Sequence, residues 1–255
     1  MITFSEAQLV AWLSPMVWPF LRVLAMFTSA PIFSSRVFPV RARIALAFFV
    51  ALAAQPFLGE QAIISITGPA AMGAVVQQLG VGLAIGFTIR MVFAAVELAG
   101  EVIGFQMGLS FASFFDPSFN AQTSAVAQFF GQMASLLFIV MNGHLLVLLA
   151  VLTSFKSFPV DQNFLEALKH MRVLDLGSAL FASGLWIALP LIGMLMFANL
   201  ALGIVSRVAP QMNIYAIGFP ITLTVGLVGL AATLPMLDQP FLALMTRAID
   251  IFAVI

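Results

Sequence analysis

Four long stretches of this chain contain no Asp, Glu, Lys or Arg, and they limit what it can fold into more than any other feature. They are residues 62–89, 118–155, 176–206 and 208–237. Each is longer than the roughly 20 residues that an α-helix needs to cross a hydrocarbon core of about 30 Å. Two further apolar segments precede them, at residues 7–33 and 44–58, and residues 90–107 are predicted as another helix. The pattern predicts about six or seven long helices.

Composition places these helices in or beside a membrane. The chain is 62% hydrophobic and 8% charged, whereas soluble domains carry about 25% charged residues. Because the stretches lack alternation of polar and apolar residues, a strand barrel is disfavoured and the predicted class is all-α. Ten basic side chains balance ten acidic ones, so no net field recruits nucleic acid.

Most of the remaining charges mark connections between the apolar segments. Arg36, Arg41 and Arg43 share one short loop, and a basic loop beside a span normally lies on the cytoplasmic side. The loop therefore predicts an N-terminus on the opposite side of the membrane. The longest polar stretch, residues 156–175, has the spacing of a solvated connecting helix.

Four charged residues fall inside otherwise apolar helices. Arg22 lies midway through the first apolar segment, where a charge near the bilayer centre costs about 2.5–3.5 kcal/mol on insertion scales. Arg90, Glu97 and Glu101 fall on one helical face. We predict that these four residues form a buried charge network between helices. The alternative is a water-filled pathway that they line.

Glycine and proline spacing predicts helices that pack closely and are kinked. The spacing G-x-x-x-G, which lets backbones approach in an apolar medium, occurs at the predicted packing residues Gly82, Gly86, Gly100 and Gly104, and continues to Gly108. Prolines inside apolar segments bend or break helices unless neighbours satisfy the freed carbonyls. They stand at positions 15, 19, 31, 190, 210, 220 and 235.

The sequence "GLSFASFFDPSFNAQTS", residues 108–124, interrupts this apolar pattern. Gly108 is predicted to end one helix, and Asp116 before Pro117 is predicted to cap the next. Between them lies an apolar cluster of Leu109, Phe111, Phe114, Phe115 and Phe119. Its phenylalanines either pack at an ordinary helix corner or close a narrow bore by excluding water.

The sequence gives no sign of an enzyme. The two histidines, His144 and His170, are far apart in the sequence, and cysteine is absent. No metalloprotease, nucleophile-elbow or P-loop spacing occurs. We predict that His144 is a hydrogen-bonded core residue, and that the chain has no catalytic residues, no cofactor and no metal.

Four segments together closely resemble the FliR family of the type III protein export apparatus. They are "WPFLRVLAMFTSAPIFSSRVFPVRARIALA" (18–47), "VELAGEVIGFQMGLSFASFFDP" (96–117), "NGHLLVLLAVLTSF" (142–155) and "LPLIGMLMFANLALGIVSRVAPQMNIYAIGFPITLTVGL" (189–227). Their order and spacing, over nearly the whole chain, make the resemblance specific.

The resemblance implies a membrane-associated export-gate subunit, one FliR-like domain over residues 1–255, which looks like a fusion of FliP-like and FliQ-like parts. It implies FliP-like and FliQ-like subunits as partners, with FlhB-like and FlhA-like export proteins, unfolded export substrates and membrane lipid. The implied location is the bacterial inner membrane at the flagellar basal body.

The family's plug loop falls on residues 108–123, which assigns a gating role to Gly108 and Leu109, to the four phenylalanines and to Asp116–Pro117. Two alternatives remain open at this point. One is the homologous subunit of a virulence injectisome, which shares the gate chemistry. The other is an independent secondary transporter or proton channel that uses Arg22, Glu97 and Glu101 as a relay.

Overall fold

The computed structural model describes residues 6–58, 64, 66, 68–109, 124–160, 173–211 and 213–253. Within these ranges every regular element is a helix, which confirms the predicted all-α class. The α-helices are α1 (Glu6–Ser29), α2 (Val40–Ala54), α3 (Ala71–Gln106), α4 (Ala125–Val140), α5 (Gly143–Ser157), α6 (Val173–Val208), α7 (Ile214–Thr233) and α8 (Asp238–Ala253). Single 3₁₀ turns follow α2 at Gln55–Phe57 and α7 at Leu234–Met236.

Several of these helices have the length and apolar character of membrane spans. Three described stretches qualify, Ala70–Gln106, Gly177–Val208 and Ile217–Met236. The broken pair α4 and α5 would make a fourth if it forms one span. The membrane-associated class predicted from the charge-free stretches therefore agrees with the helices that form.

Some predicted helix boundaries are wrong. The break expected between Ile89 and Arg90 does not occur, because α3 runs through Ala71–Gln106 without interruption. Arg90 is exposed on that helix, and arginine is a good helix former, so its charge interrupts the apolar pattern without ending the helix.

The stretch 118–155, counted as one helix, contains two. Helix α4 ends at Val140, and Asn142 adopts a left-handed conformation with φ 55° immediately before α5. Asparagine tolerates this conformation better than most residues. Helix α8 was not predicted, because Asp238, Arg247 and Asp250 interrupt its apolar pattern.

The seven prolines that were predicted to bend or break helices fall into two groups. Four lie inside helices: Pro15 and Pro19 in α1, Pro190 in α6 and Pro220 in α7. The other three, Pro31, Pro210 and Pro235, lie just beyond the ends of α1, α6 and α7. Proline lacks the N–H that would continue a helix, so the second group stands where helices end.

The chain divides into two compact units. The first comprises Met1–Met91, Asn142–Gly177 and Met245–Ile255, and the second Val92–Met141 and Ser178–Leu244. Buried apolar side chains of the first unit include Met26, Phe27, Ile85 and Val151, and those of the second include Ile103, Met107, Phe138, Leu195 and Phe241. In the second unit the ring of Phe93 lies 5.7 Å from that of Phe138 and 5.9 Å from that of Phe241. The prediction of one domain over residues 1–255 stays a prediction.

Candidate functional site

The first candidate centre is Arg22, which is fully buried in the first unit. Its Nε donates to Gln78 Oε1 at 2.8 Å and its Nη1 to Ser154 Oγ at 3.1 Å. Its Nη2 donates to the carbonyl oxygen of Phe158 at 2.7 Å. The guanidinium carbon also lies 4.0 Å from the ring centroid of Phe155, within range of a cation–π interaction.

These contacts place the cation at the C-terminal end of α5. Phe158 is the C-cap residue of that helix, and Ser154 lies in its last turn. A helix C-terminus carries negative partial charge and unpaired carbonyls, so a cation there is stabilising. Gln78 continues the network by donating to Gln77, which donates to the carbonyl of Pro159 at 3.0 Å. Arg22 thus joins α1, α3 and α5.

The other residues of the predicted charge network lie in different surroundings. Arg90 and Glu97 are exposed, and Glu101 is half-buried. Of the four, Arg22 alone is buried in this single chain. A buried network shared by all four therefore stays a prediction.

The four predicted packing glycines all lie at close approaches between helices. A Cβ on Gly82 would overlap the carbonyl oxygen of Arg22, and one on Gly86 would overlap Ser29. In the second unit, a Cβ on Gly100 would lie 2.6 Å from the Cα of Ala127. One on Gly104 would lie 3.0 Å from Ser124 Oγ. Helix α3 therefore contacts α1 in the first unit and the beginning of α4 in the second.

The second candidate centre begins where α3 ends. Gly108 has φ 81°, a left-handed conformation that a side chain would strain. Its N–H donates to the carbonyl of Phe105 at 3.0 Å, and the N–H of Leu109 donates to that of Gly104 at 3.1 Å. This pair of bonds is the Schellman arrangement, which ends a helix and satisfies its last carbonyls.

The chain returns to the same place at Ser124. Ser124 is the N-cap of α4, and its Oγ accepts a hydrogen bond from the N–H of Ala127 at 3.1 Å. Its own N–H donates to Glu101 Oε1, on α3, at 2.8 Å. In a capping box this second bond comes from a Glu or Gln three residues into the same helix. That position is Ala127 here, and Glu101 makes the bond from α3 instead.

Helix α7 packs against the end of α3. Thr222 Oγ1 donates to the carbonyl of Met107 at 3.3 Å, and Gly226 lies against the Met107 side chain. The ring of Phe219 lies 3.4 Å from the position that a Cβ on Gly108 would take. We call the residues that hold both ends of segment 110–123 the loop frame: Glu101, Gly104, Met107, Gly108 and Ser124.

The predicted plug residues lie partly at the end of α3 and partly in segment 110–123. Gly108 and Leu109 are described and half-buried. The remaining plug residues lie outside the described ranges: Phe111, Phe114, Phe115, Asp116, Pro117 and Phe119. The same holds for most of the predicted connecting segment 156–175.

Sequence reasoning missed two contributors to these centres. The Gln77–Gln78 pair, fully or almost fully buried, supports Arg22, and two adjacent glutamines in an apolar stretch were the available signal. Ser124, a serine directly before an apolar helix, was a recognisable N-cap. Its bond to Glu101 joins residues 23 positions apart, which no local pattern predicts.

Within the described ranges, no group of three or more His, Asp or Glu residues is arranged to hold a metal ion. His144 is half-buried near the start of α5. In both centres, hydrogen bonds and charged side chains hold the ends of helices in place.

Comparison with known proteins identifies the family. The model of the bacterial export proteins, family 1, matches residues 13–248. The chain is 41% identical to the flagellar biosynthetic protein FliR of Escherichia coli (strain K12), covering 94% of this chain and 92% of that protein. It is 38% identical to FliR of Pectobacterium carotovorum subsp. carotovorum, covering 99% and 97%. With FliR of Bacillus subtilis (strain 168) it shares 34% identity, with 82% of each chain covered. Similarity of this extent shows that the chain belongs to the FliR family of bacterial export proteins.

Proposed function

We propose that this chain is a structural, non-catalytic subunit of the flagellar type III protein export gate. In this role it forms part of the conduit through which unfolded flagellar subunits leave the cell. The relatives reported above are named flagellar biosynthetic protein FliR, and the similarity covers nearly their full lengths. Membership of that family favours the flagellar assignment over a virulence injectisome.

Segment 108–123 acts in this proposal as the plug of the conduit. At rest its phenylalanines exclude water and ions from a narrow bore, and during export the segment moves aside. The observation that carries the proposal is the loop frame. Because Gly108 ends α3 with a Schellman arrangement and Glu101 binds Ser124, both ends of the segment are held on the last turns of one helix. A segment held in this way can move without separating the helices that bracket it.

The proposed partners follow from the family and from the apolar surface. FliP-like and FliQ-like subunits, together with membrane lipid, cover helices such as α6, on which Trp186 and Phe197 are 74% and 75% exposed. FlhB-like and FlhA-like proteins adjoin the gate, which lies in the bacterial inner membrane at the basal body. Such large exposed apolar side chains mark surfaces that contact protein or lipid.

Deletion of residues 110–116 in the assembled gate tests the plug. We expect increased ion leakage across the membrane, measured as loss of membrane potential in cells that express the complete gate. The matched control replaces Leu145 and Leu149, two exposed leucines of α5, with alanine. A deleted gate that still co-purifies with its partners and leaks no more than the control would contradict the plug.

A second measurement separates the gate subunit from an independent transporter. The transporter hypothesis predicts that the purified chain alone moves protons or other ions across vesicle membranes. The gate proposal predicts no transport by the isolated chain and stable co-purification with FliP-like and FliQ-like subunits. Transport by the chain alone, without those subunits, would overturn the gate proposal.

A further inference from the structure

The connection between α1 and α2 is strongly basic. Arg36 and Arg41 are exposed, and Arg43, in the first turns of α2, is half-buried. No acidic residue occurs between Glu6 and Glu60. The positive charge of this connection is therefore not balanced by any acid nearby in the sequence.

Two observations indicate that an anion belongs beside these arginines. Among the described residues, the buried Nε of Arg43 has no hydrogen-bond partner, and a buried donor without a partner is costly. The N-cap of helix α2, Pro39, makes no side-chain capping bond, and the first turn of the helix contains no acidic residue. The positive end of its dipole therefore adds to the charge of the arginines.

The outer surface of α2 is apolar. Its buried residues are the small Ala47, Ala51 and Ala54, a spacing that lets α2 pack closely along α1. Gln55 secures this packing by donating to the carbonyl of Pro15 at 2.7 Å. The large side chains are exposed by 45–64% and form what we call the α2 outer face: Ile44, Phe48, Phe49 and Leu52.

The length of α2 from Arg43 onwards matches one leaflet of a membrane. From Arg43 to Ala54 the helix extends about 16 Å at 1.5 Å per residue. Half of a hydrocarbon core of about 30 Å is similar. The arginines lie at one end of this length, and the apolar side chains follow one another towards the other end.

We propose that the α2 outer face is embedded in one leaflet, with Arg36, Arg41 and Arg43 bound to the phosphate groups of anionic lipids. Lipid fits better than an acidic protein surface because charge and apolar area are separated along the helix axis. That separation follows the depth profile of a leaflet, in which headgroups lie above hydrocarbon. The proposal is independent of the plug, since it concerns residues of the first unit.

Lipid retention tests the basic end. The full chain is purified from membranes that contain phosphatidylglycerol and phosphatidylethanolamine, and the bound lipids are quantified by native mass spectrometry. Each arginine near an anionic surface contributes about fivefold to binding. We therefore expect the amount of phosphatidylglycerol bound to the R36Q/R41Q/R43Q variant to fall at least about tenfold. Free inorganic phosphate should not restore the loss.

The matched control removes the same charge elsewhere. The R90Q/R207Q/R247Q variant changes three arginines that are all exposed, and it should retain phosphatidylglycerol like the unchanged chain. Equal losses in both variants would overturn the proposal. Unchanged lipid in the R36Q/R41Q/R43Q variant, combined with loss of a co-purifying subunit, would assign the arginines to a protein partner and would also overturn it.

Depth measurement tests the apolar end. The chain contains no cysteine, so one introduced cysteine can be labelled with a fluorophore at a single position. Two variants place it at Val37, which is 91% exposed, and at Phe49, which is 64% exposed. In vesicles we expect nitroxide in the acyl chains to quench the label at position 49 more strongly than the label at 37. Headgroup nitroxide should show the reverse order. Equal quenching at both positions, or none at position 49, would overturn the embedding.

Discussion

Arg22 in the first unit and Glu101 in the second stabilise opposite ends of two helices. Arg22 donates to the carbonyl of Phe158 at the C-terminal end of α5, and Glu101 accepts from the N–H of Ser124 at the N-terminal end of α4. Each charge complements the partial charge of the helix end that it contacts. In both cases the charged side chain belongs to a different helix from the one whose end it stabilises.

The two centres differ in burial. Arg22 is fully buried, and its described hydrogen-bond partners are neutral, whereas Glu101 is half-buried. A buried charge depends on its partners because water cannot replace them. The comparison teaches that the same kind of contact is a structural requirement in one unit and a modest contribution in the other.

The largest expected effect comes from Arg22→Ala. The substitution leaves Gln78 Oε1 and the Phe158 carbonyl without their donor inside the protein. We expect a loss of about 3–5 kcal/mol of stability, measured as a large fall in the Tm of the purified chain in detergent.

Two further variants sharpen this prediction. Arg22→Lys keeps the charge but cannot reproduce the fixed fork of the guanidinium, so it should recover only part of the loss. Arg90→Ala removes an exposed arginine and should leave the Tm unchanged. If Arg22→Ala lowered the Tm no more than Arg90→Ala, the buried contacts of Arg22 would not be a structural requirement.

Glycines of α3 lie at close helix contacts within each unit, and their substitution is expected to have the next largest effect. An alanine at Gly82 would collide with the backbone of Arg22, and one at Gly100 with the backbone of Ala127. Backbone atoms cannot turn away, so each substitution should cost about 1–3 kcal/mol. The measurement is again the Tm of the purified chain.

Gly203 supplies the control for these glycines. It lies within α6, and apart from the adjoining backbone of that helix no atom of the described residues lies within 4 Å of the position of an added Cβ. Alanine is a better helix former than glycine by about 1 kcal/mol, so Gly203→Ala should raise the Tm or leave it unchanged. A fall as large as that of Gly82→Ala would show that the close approaches do not matter.

Much of the fold could be predicted from residue patterns. Charge-free stretches longer than a membrane span predicted the helices, and G-x-x-x-G spacing singled out four glycines that lie at close approaches. Gly108 was predicted to end its helix, and its φ of 81° shows why glycine suits that position. These features are local, so a window of a few turns contains the signal.

Contacts between distant residues could not be predicted in this way. Arg22 pairs with Ser154, 132 positions away, and a buried arginine in a helix does not indicate which helix will supply its partners. The continuity of α3 through Arg90 was missed for a related reason. A charge in an apolar pattern ends a helix or lies on its surface according to packing, and packing depends on other parts of the chain.

The glycine at the end of α3 is expected to have a smaller effect than those between helices. In Gly108→Ala the new side chain has ordinary van der Waals space, since the nearest atom of Phe219 lies 3.4 Å away. The cost comes from the left-handed backbone conformation alone and is about 1–2 kcal/mol. Gly108→Asn should cost less, because asparagine tolerates that conformation. A higher Tm for Gly108→Asn than for Gly108→Ala would show that the backbone conformation causes the loss.

The smallest expected effect is that of Glu101, and it gives the sharpest contrast with Arg22. Glu101→Ala removes one hydrogen bond at a half-buried helix start, worth about 1 kcal/mol, while Glu101→Gln keeps an oxygen that can accept it. Hydrogen exchange of the first turn of α4 should rise in the alanine variant and change little in the glutamine variant, with α5 unaffected in both. Faster exchange throughout the chain would contradict a local role. No change in α4 would mean that the Ser124 hydroxyl suffices to hold the helix start, and Ser124→Ala would then show the larger effect.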